Sequence, residues 1–384
     1  MRHRVSVSGL FFLNGLILGC WAPAVPAFKD KHHLTESELG LMILAVGIGS
    51  IIAMPAAGVL IAKRGSTPIL RLSASFCIFL LPAALLAPSI PLAFIALALF
   101  GSGIAAMDVA MNSNAVRVEA HYEAQILSSC HGFWSLGALA GALVGGLALG
   151  VADLSGIAVA VAISVLAGVA LLAPKLFEDR QPPSEKTATK VTLPKKPLLY
   201  VLALMAFAGF TAEGAILDWA ALFLRDERAL PSEYAGYAFG VFSGMMALVR
   251  FVGDPVRARF GDGATLTVSA GIAAIGFLVA GLAPNQAGSI IGFAIVGLGL
   301  ANIVPITFKA ADQVPGLPKG IGMAVATTFG YSGILLAPPL LGFVAESISF
   351  GAIFSFIAIL PVYVLVAGYL IVYRSSTTTS TRPE

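Results

Sequence analysis

Asp108 and Asn112 stand four residues apart in "GSGIAAMDVAMNSNAV", residues 101–116, where nearly every neighbour is small or apolar. On a helix that spacing puts the carboxyl and the amide on one face, a turn apart. A second acid, Glu213, stands in "FAGFTAEGAILDWA" and is followed five residues later by Asp218, while His131 opens a third apolar run, "LSSCHGFWSLGA". Such groups can take up and release protons and can hydrogen-bond hydroxyls. Covalent catalysis is not indicated: Ser128, Ser129, Cys130 and His131 are consecutive, and neighbours on a helix point in different directions, so adjacency builds no nucleophile and base. His32 and His33 beside Lys29 and Lys31 make a weak ligand set, and no metal site is expected. Cys20, Cys77 and Cys130 lie in apolar runs without CxxC spacing, which indicates neither disulfides nor metal.

These groups need a scaffold that shields them from water, and composition identifies it. The 384 residues are 58% hydrophobic and 11% charged, with mean hydropathy +0.92, whereas soluble domains carry about 25% charged residues. This is the composition of a polytopic membrane protein whose surroundings are the lipid bilayer. A net charge of +3 gives no ground for nucleic acid as a partner. A hydrocarbon layer roughly 30 Å thick takes about 20 helical residues to cross. Twelve apolar runs of that order lie at 5–28, 37–62, 67–88, 91–115, 126–151, 155–174, 197–224, 232–256, 263–283, 287–311, 319–346 and 349–373. The first follows "MRHR" but is longer than a signal-peptide core, so it is expected to remain as a span. Twelve spans put both termini on one side. Cytosolic termini place all of the 23 Lys and Arg except Lys29, Lys31, Arg225 and Arg228 on or near the cytosolic side, as the positive-inside rule demands.

The polar stretch "PKLFEDRQPPSEKTATKVTLPKKP", residues 174–197, divides the spans six and six. The organisation read from it is an N-terminal bundle, 1–174, a mobile cytosolic linker, 175–196, a C-terminal bundle, 197–373, and a disordered cytosolic tail, 374–384. Sliding the chain by 196 residues superposes Gly40 on Gly236, Gly65 on Gly261, Gly101 on Gly297, Gly103 on Gly299, Gly137 on Gly333 and Gly146 on Gly342. Chance would match about two of the 18 glycines that precede the linker, so the halves read as a repeat. The expected fold class is all-α, twelve transmembrane helices in two six-helix pseudo-repeats. In a parallel repeat of this kind the solute site lies between the halves near the midplane.

The segment after the second span, "GVLIAKRGS", residues 58–66, resembles the loop signature of the major facilitator superfamily: Gly, three residues, Asp, a basic residue, any residue, Gly. Gly58, Lys63 and Gly65 match, and Ala62 stands where the Asp is usual. The repeat copy "GDPVRARFGDG", residues 253–263, is similarly degenerate. Within that superfamily "MDVAMNSNA" resembles the acid-x-x-x-Asn motif in the fourth helix of fucose permease and its relatives. "LSSCHGFWSLGA" resembles their fifth helix, and "FAGFTAEGAILDWA" their seventh, with Glu213 at its acid. The first helix, "FFLNGLILGCWAPAVPAF", lacks the aspartate those permeases carry near "WAP". The bacterial branch that includes the proposed rhizopine transport protein is similar too, and closer. The resemblance implies a monomeric secondary transporter of the bacterial cytoplasmic (inner) membrane that works by alternating access, not an enzyme.

Asp108 lies nine residues before Arg117, about 13 Å inside the cytosolic end of its helix. A charge facing lipid there costs about 2.5–3.5 kcal/mol, so the residue is expected to face the bundle interior or a watery cavity. It is either a packing aspartate satisfied by neighbouring donors or, on the sharper reading, a proton site whose charged form desolvation penalises. Glu213, roughly 18 Å from the opposite end by the same rise, is the second candidate for proton coupling. Asn14, Asn112, His131, Trp134, Trp219, Asn302 and Tyr331 are the expected substrate contacts, offering hydrogen bonds to hydroxyls and flat faces to a sugar ring. The expected gating residues are Gly58, Lys63, Arg64 and Gly65 of the signature, Asp218, and the pair Arg250 and Asp254 on the eighth span. Lys309, near Asp312, snorkels to the cytosolic surface. No bound cofactor is expected; the energy source is a proton gradient. The function expected is proton-coupled symport of a small hydroxylated solute, a sugar, polyol or inositol derivative. The alternative is a proton-antiport exporter of drugs or metabolites, which also uses buried acids.

Overall fold

The computed structural model describes residues 2–179, 194–318 and 321–379. In a bilayer every backbone N–H and C=O must find its partner within the segment or its neighbours, so the apolar runs become helices. In chain order they are α1 (Arg2–His32), α2 (Glu36–Arg64), α3 (Ser66–Leu86), α4 (Ile90–Tyr122), α5 (Leu127–Leu172), α6 (Pro197–Leu222), α7 (Ser232–Ala235), α8 (Tyr237–Phe260), α9 (Asp262–Leu282), α10 (Gln286–Leu300), α11 (Ile303–Asp312), α12 (Ile321–Ala345), α13 (Phe350–Ile357) and α14 (Ile359–Thr379). Among the described residues eleven helical stretches are long and apolar enough to cross a membrane. One of them is two crossings. Ala152 (φ −150°, ψ 33°) and Asp153 (φ 54°, ψ −150°) break α5, and Gly137 before the break and Gly168 after it lie against Phe12 and Leu13, adjacent residues of α1. In a straight helix two residues that far apart in sequence would be separated by about 46 Å. The chain therefore doubles back at Ala152, giving twelve crossings, the number of apolar runs.

Helix ends fall where polar side chains can serve them. Thr35 caps α2: its hydroxyl accepts from the Glu38 N–H while the Glu38 carboxylate accepts from the Thr35 N–H, a reciprocal capping box. Asn285 and Ser349 cap α10 and α13 one way only, accepting from the Gly288 and Ala352 N–H groups. The connection between the second and third spans is shorter than the sequence suggested. Gly58, Lys63 and Arg64 lie in the last two turns of α2, and a single residue, Gly65, makes the turn at φ 85°, where a side chain would be strained. The last helix runs to Thr379, past the expected end at 373 and into the stretch read as tail. The greater part of the expected linker, residues 380–384 and the Asp254 side chain lie outside the described residues.

The 196-residue offset reappears as geometry. Gly65 and Gly261 make the same turn, φ 85°, ψ 166° and φ 81°, ψ 157°. Gly101 lies against the Val46 carbonyl and Gly297 against the Phe242 carbonyl, and Val46 and Phe242 are themselves 196 residues apart. Gly103 and Gly299 pack on Cys77 and Ala273, another pair at that offset. Across the interface, Gly146 meets the Glu233 carbonyl of the second half while Gly342 meets the Glu36 carbonyl of the first. Such reciprocity is what a two-fold axis between parallel repeats requires. α1 and α6, the first helix of each half, are buried over most of their length. Large apolar side chains such as Phe79, Val151 and Ile275 point outward, as in a surface that faces acyl chains.

Candidate functional site

α4 brings Asp108 and Asn112 onto one face, and the amide ties the pair together. Asn112 Nδ2 donates to the Asp108 carbonyl at 2.9 Å and to Asp108 Oδ1 at 3.2 Å. That donation fixes the amide, so Asn112 Oδ1 faces His131 Nε2 of α5 at 3.1 Å and accepts the imidazole N–H. From the other half, Tyr331 of α12 donates its hydroxyl to Asp108 Oδ2 at 3.3 Å. Asp108 is therefore held from both halves at once. Neighbouring aromatics fix the partners: Phe11 meets the His131 ring edge-on with centroids 5.1 Å apart, and Phe210 stacks on Tyr331 at 5.2 Å.

Beside this chain stands Arg250 of α8. The sequence paired it with Asp254, whose side chain lies outside the described residues; its guanidinium reaches α5. Nη1 donates to Ser135 Oγ at 2.5 Å and to the His131 carbonyl at 3.4 Å. Glu213 of α6 acts on both Arg250 and Tyr331 through space, and among the described residues it forms no ion pair. Asp108, Asn112, His131 and Tyr331 thus form one bonded chain, with Glu213 coupled to it by charge. A site with these groups can bind a proton on a carboxylate shared by the halves and offer hydrogen bonds to a polar solute.

Other expected contacts are engaged elsewhere. Asn14 is buried; its Oδ1 accepts from Trp134 Nε1 at 2.8 Å and its Nδ2 donates to the Ile104 carbonyl at 3.3 Å, so both polar ends brace α1 against α4 and α5. Trp219 is fully buried with its ring 5.7 Å from Phe350, packed inside the second half. Asn302 donates to Ser269 Oγ of α9 at 3.4 Å and joins helices of one half. Lys309 pairs with Asp262 at 2.8 Å. Lys63 and Arg64 are exposed, and a Cβ on Gly58 would meet nothing within 4 Å.

A further set of ties between the halves lies at the end that carries the α1–α2 and α6–α8 connections. Asp218, buried, accepts from Trp21 Nε1 at 3.2 Å. Arg225 reaches Asp30 at 2.6 Å as well as its neighbour Asp226, and Ser37 donates to Glu346. The Ser37 hydroxyl, then Thr35 and the Ser37 N–H, hold the Glu346 carboxyl below the usual range for a glutamate. Sequence reasoning passed over Trp21, Ser135 and Phe210. Ser135 was the most accessible of these, being four residues after His131 and so on its face. At the other end Asp179 caps the start of α3. Ala62 has no carboxylate, but Asp179 accepts from the N–H groups of Ser66 at 2.9 Å and Thr67 at 3.1 Å, and Asn114 bridges Ser66, Thr67 and the Phe177 carbonyl.

Known proteins share both sequence and shape with this chain. The sequence profile of the Major Facilitator Superfamily matches residues 7–338. An uncharacterized MFS-type transporter of Yersinia pestis is 35% identical over 364 residues, covering 94% of this chain and 93% of the relative. Membrane protein MosC of Rhizobium meliloti is 31% identical over 371 residues, 94% and 88% of the two chains. Among solved structures, the nucleoside transporter NupG superposes with a TM-score of 0.71 at 14% identity, covering 96% of this chain and 99% of that one. The fucose:proton symporter FucP of E. coli gives 0.65 at 17%, with 96% and 98% covered. At such identities the structures speak for the fold alone.

Proposed function

The chain belongs to the major facilitator superfamily and is a multi-pass membrane transporter, and we propose that it is a proton-coupled symporter of a small hydroxylated solute. The observation that carries this reading is the chain His131–Asn112–Asp108–Tyr331, in which one carboxylate between the halves is bonded from both. A proton arriving on Asp108 changes what Tyr331 and Asn112 can donate to, so the interface between halves is biased by protonation, and a bound solute with hydroxyls competes for the same partners. That supplies the differential contact any coupling needs. Glu213 is the second acid of the site. FucP, whose fold this chain shares, is named a fucose:proton symporter, which is consistent with a hydroxylated solute.

The proposed setting is the inner membrane of a bacterium with both termini cytosolic, supported by the distribution of Lys and Arg and by bacterial relatives. The transporter is proposed to act as a monomer, with residues 1–174 rocking against 197–373. In that orientation the Trp21–Asp218, Arg225–Asp30 and Ser37–Glu346 ties lie on the periplasmic face, and the conformer is the one closed to the outside. The test is reconstitution into liposomes with an internal pH dye. Addition of sugars, polyols or inositols outside should drive proton entry with solute for the symporter. Proton entry tied to solute exit would overturn symport in favour of the exporter, and solute entry with no proton signal would remove the coupling.

A further inference from the structure

Resting on the transporter reading, the geometry points to a solute that carries an acidic group as well as hydroxyls, with Arg250 as the seat of that acid. A guanidinium has five N–H donors. One nitrogen of Arg250, Nη1, is spent on Ser135 and the His131 carbonyl. Nε and Nη2 meet no acceptor among the described residues. The two unused nitrogens form one edge of the planar fork, the edge that takes a carboxylate with two parallel hydrogen bonds.

Placement argues the same way. Arg250 stands ten residues before the end of α8, about 15 Å inside the bundle, where an unpaired charge is costly and marks function. Several cations in ordered contacts elsewhere end on carboxylates: Lys29 on Glu36, Arg71 on Glu178, Arg225 on Asp30 and Arg257 on Asp262, while Lys31 ends on the Leu85 carbonyl. Arg250 instead forms no ion pair among the described residues. Its anchors, Ser135 and His131, lie on the helix that also presents His131 to Asn112 and Asp108. A solute acid on Arg250 would therefore leave its hydroxyls beside that polar chain. A proton carried with a singly charged acid also makes the cargo neutral, so the membrane potential does not oppose its entry.

The test compares D-gluconate and D-glucuronate with D-glucitol, D-glucose and D-glucosamine by calorimetric titration of the full-length protein in detergent at neutral pH. The acids should bind at least about 10-fold more tightly than the neutral probes. Arg250→Gln should bring that preference down towards one, and Arg250→Lys, which keeps the charge but loses the forked edge, should retain part of it. Should the variants not fold, the comparison among probes on the unaltered protein decides by itself. Neutral probes or the amine binding as well as the acids would overturn this inference and leave the symporter standing. Binding of none of them would overturn both.

Discussion

Replacing Trp21 by Phe keeps an aromatic ring at the interface of the halves and removes one donor, the indole N–H that Asp218 accepts at 3.2 Å. Trp21 is 2% exposed and Asp218 4%, so no bulk water stands ready to replace the bond, and Asp218 has no other hydrogen-bond donor among the described residues. Leaving a buried acceptor without its donor costs about 1–3 kcal/mol. The bond joins α1 to α6, so opening of the halves at that end breaks it, and the cost falls on the closed conformer. The ratio of closed to open should drop by about 5- to 150-fold. Spin labels on exposed His33 and Ala229, in loops of opposite halves at that end, would report it as a longer-distance population by pulsed resonance. Asp218→Asn in the Trp21→Phe background should add little, because the pair acts as a unit. A distance distribution unchanged by Trp21→Phe, or shifted to the shorter component, would refute the assignment of this bond as a closing contact.

Asp108→Asn should abolish accumulation of solute against its gradient while leaving exchange of labelled for unlabelled solute across liposomes; accumulation at the original level would remove Asp108 from coupling. Gly137→Ala forces a methyl against the Phe12 backbone carbonyl, an overpacking that costs about 1–3 kcal/mol and should lower the melting temperature in detergent. Gly58→Ala meets nothing and removes a flexible residue from a helix, so it should leave that temperature unchanged or raise it, by up to about 1 kcal/mol of stability. Asp179→Ala strips the N–H groups of Ser66 and Thr67 of their acceptor and should cost about 0.5–2 kcal/mol, read in the same melting assay. The Glu346 carboxyl is held below its ordinary value by Ser37, so its contribution to closure is complete above the ordinary glutamate range and is lost only as pH falls through the lowered value. Glu346→Gln should therefore leave the pH profile of transport between about 5 and 8 in place; a profile that moved with this substitution would contradict the placement.

The class and topology of this protein lie in its one-dimensional pattern. Apolar runs long enough to span a bilayer have only one way to satisfy their backbone, so twelve runs became twelve crossings even where α5 continues through its break without a long loop. The repeat was legible because glycines mark places where helix backbones touch, and such contacts survive when side chains drift: Gly101 on Val46 and Gly297 on Phe242 are one contact written twice. Asp108 and Asn112 were also legible, since i and i+4 on a helix share a face whatever surrounds them. The direction in which Arg250, Asn14, Trp219 and Asn302 face was not. Helical spacing fixes which residues share a face but not which neighbour that face meets, and that is set by packing between segments far apart in sequence. Arg250 meets α5 at Ser135, 115 residues away, and Tyr331 meets Asp108 across 223. The carboxylate that caps α3 likewise comes from Asp179, 113 residues beyond Ser66, because a hydrogen bond requires proximity in space and places no demand on distance along the chain.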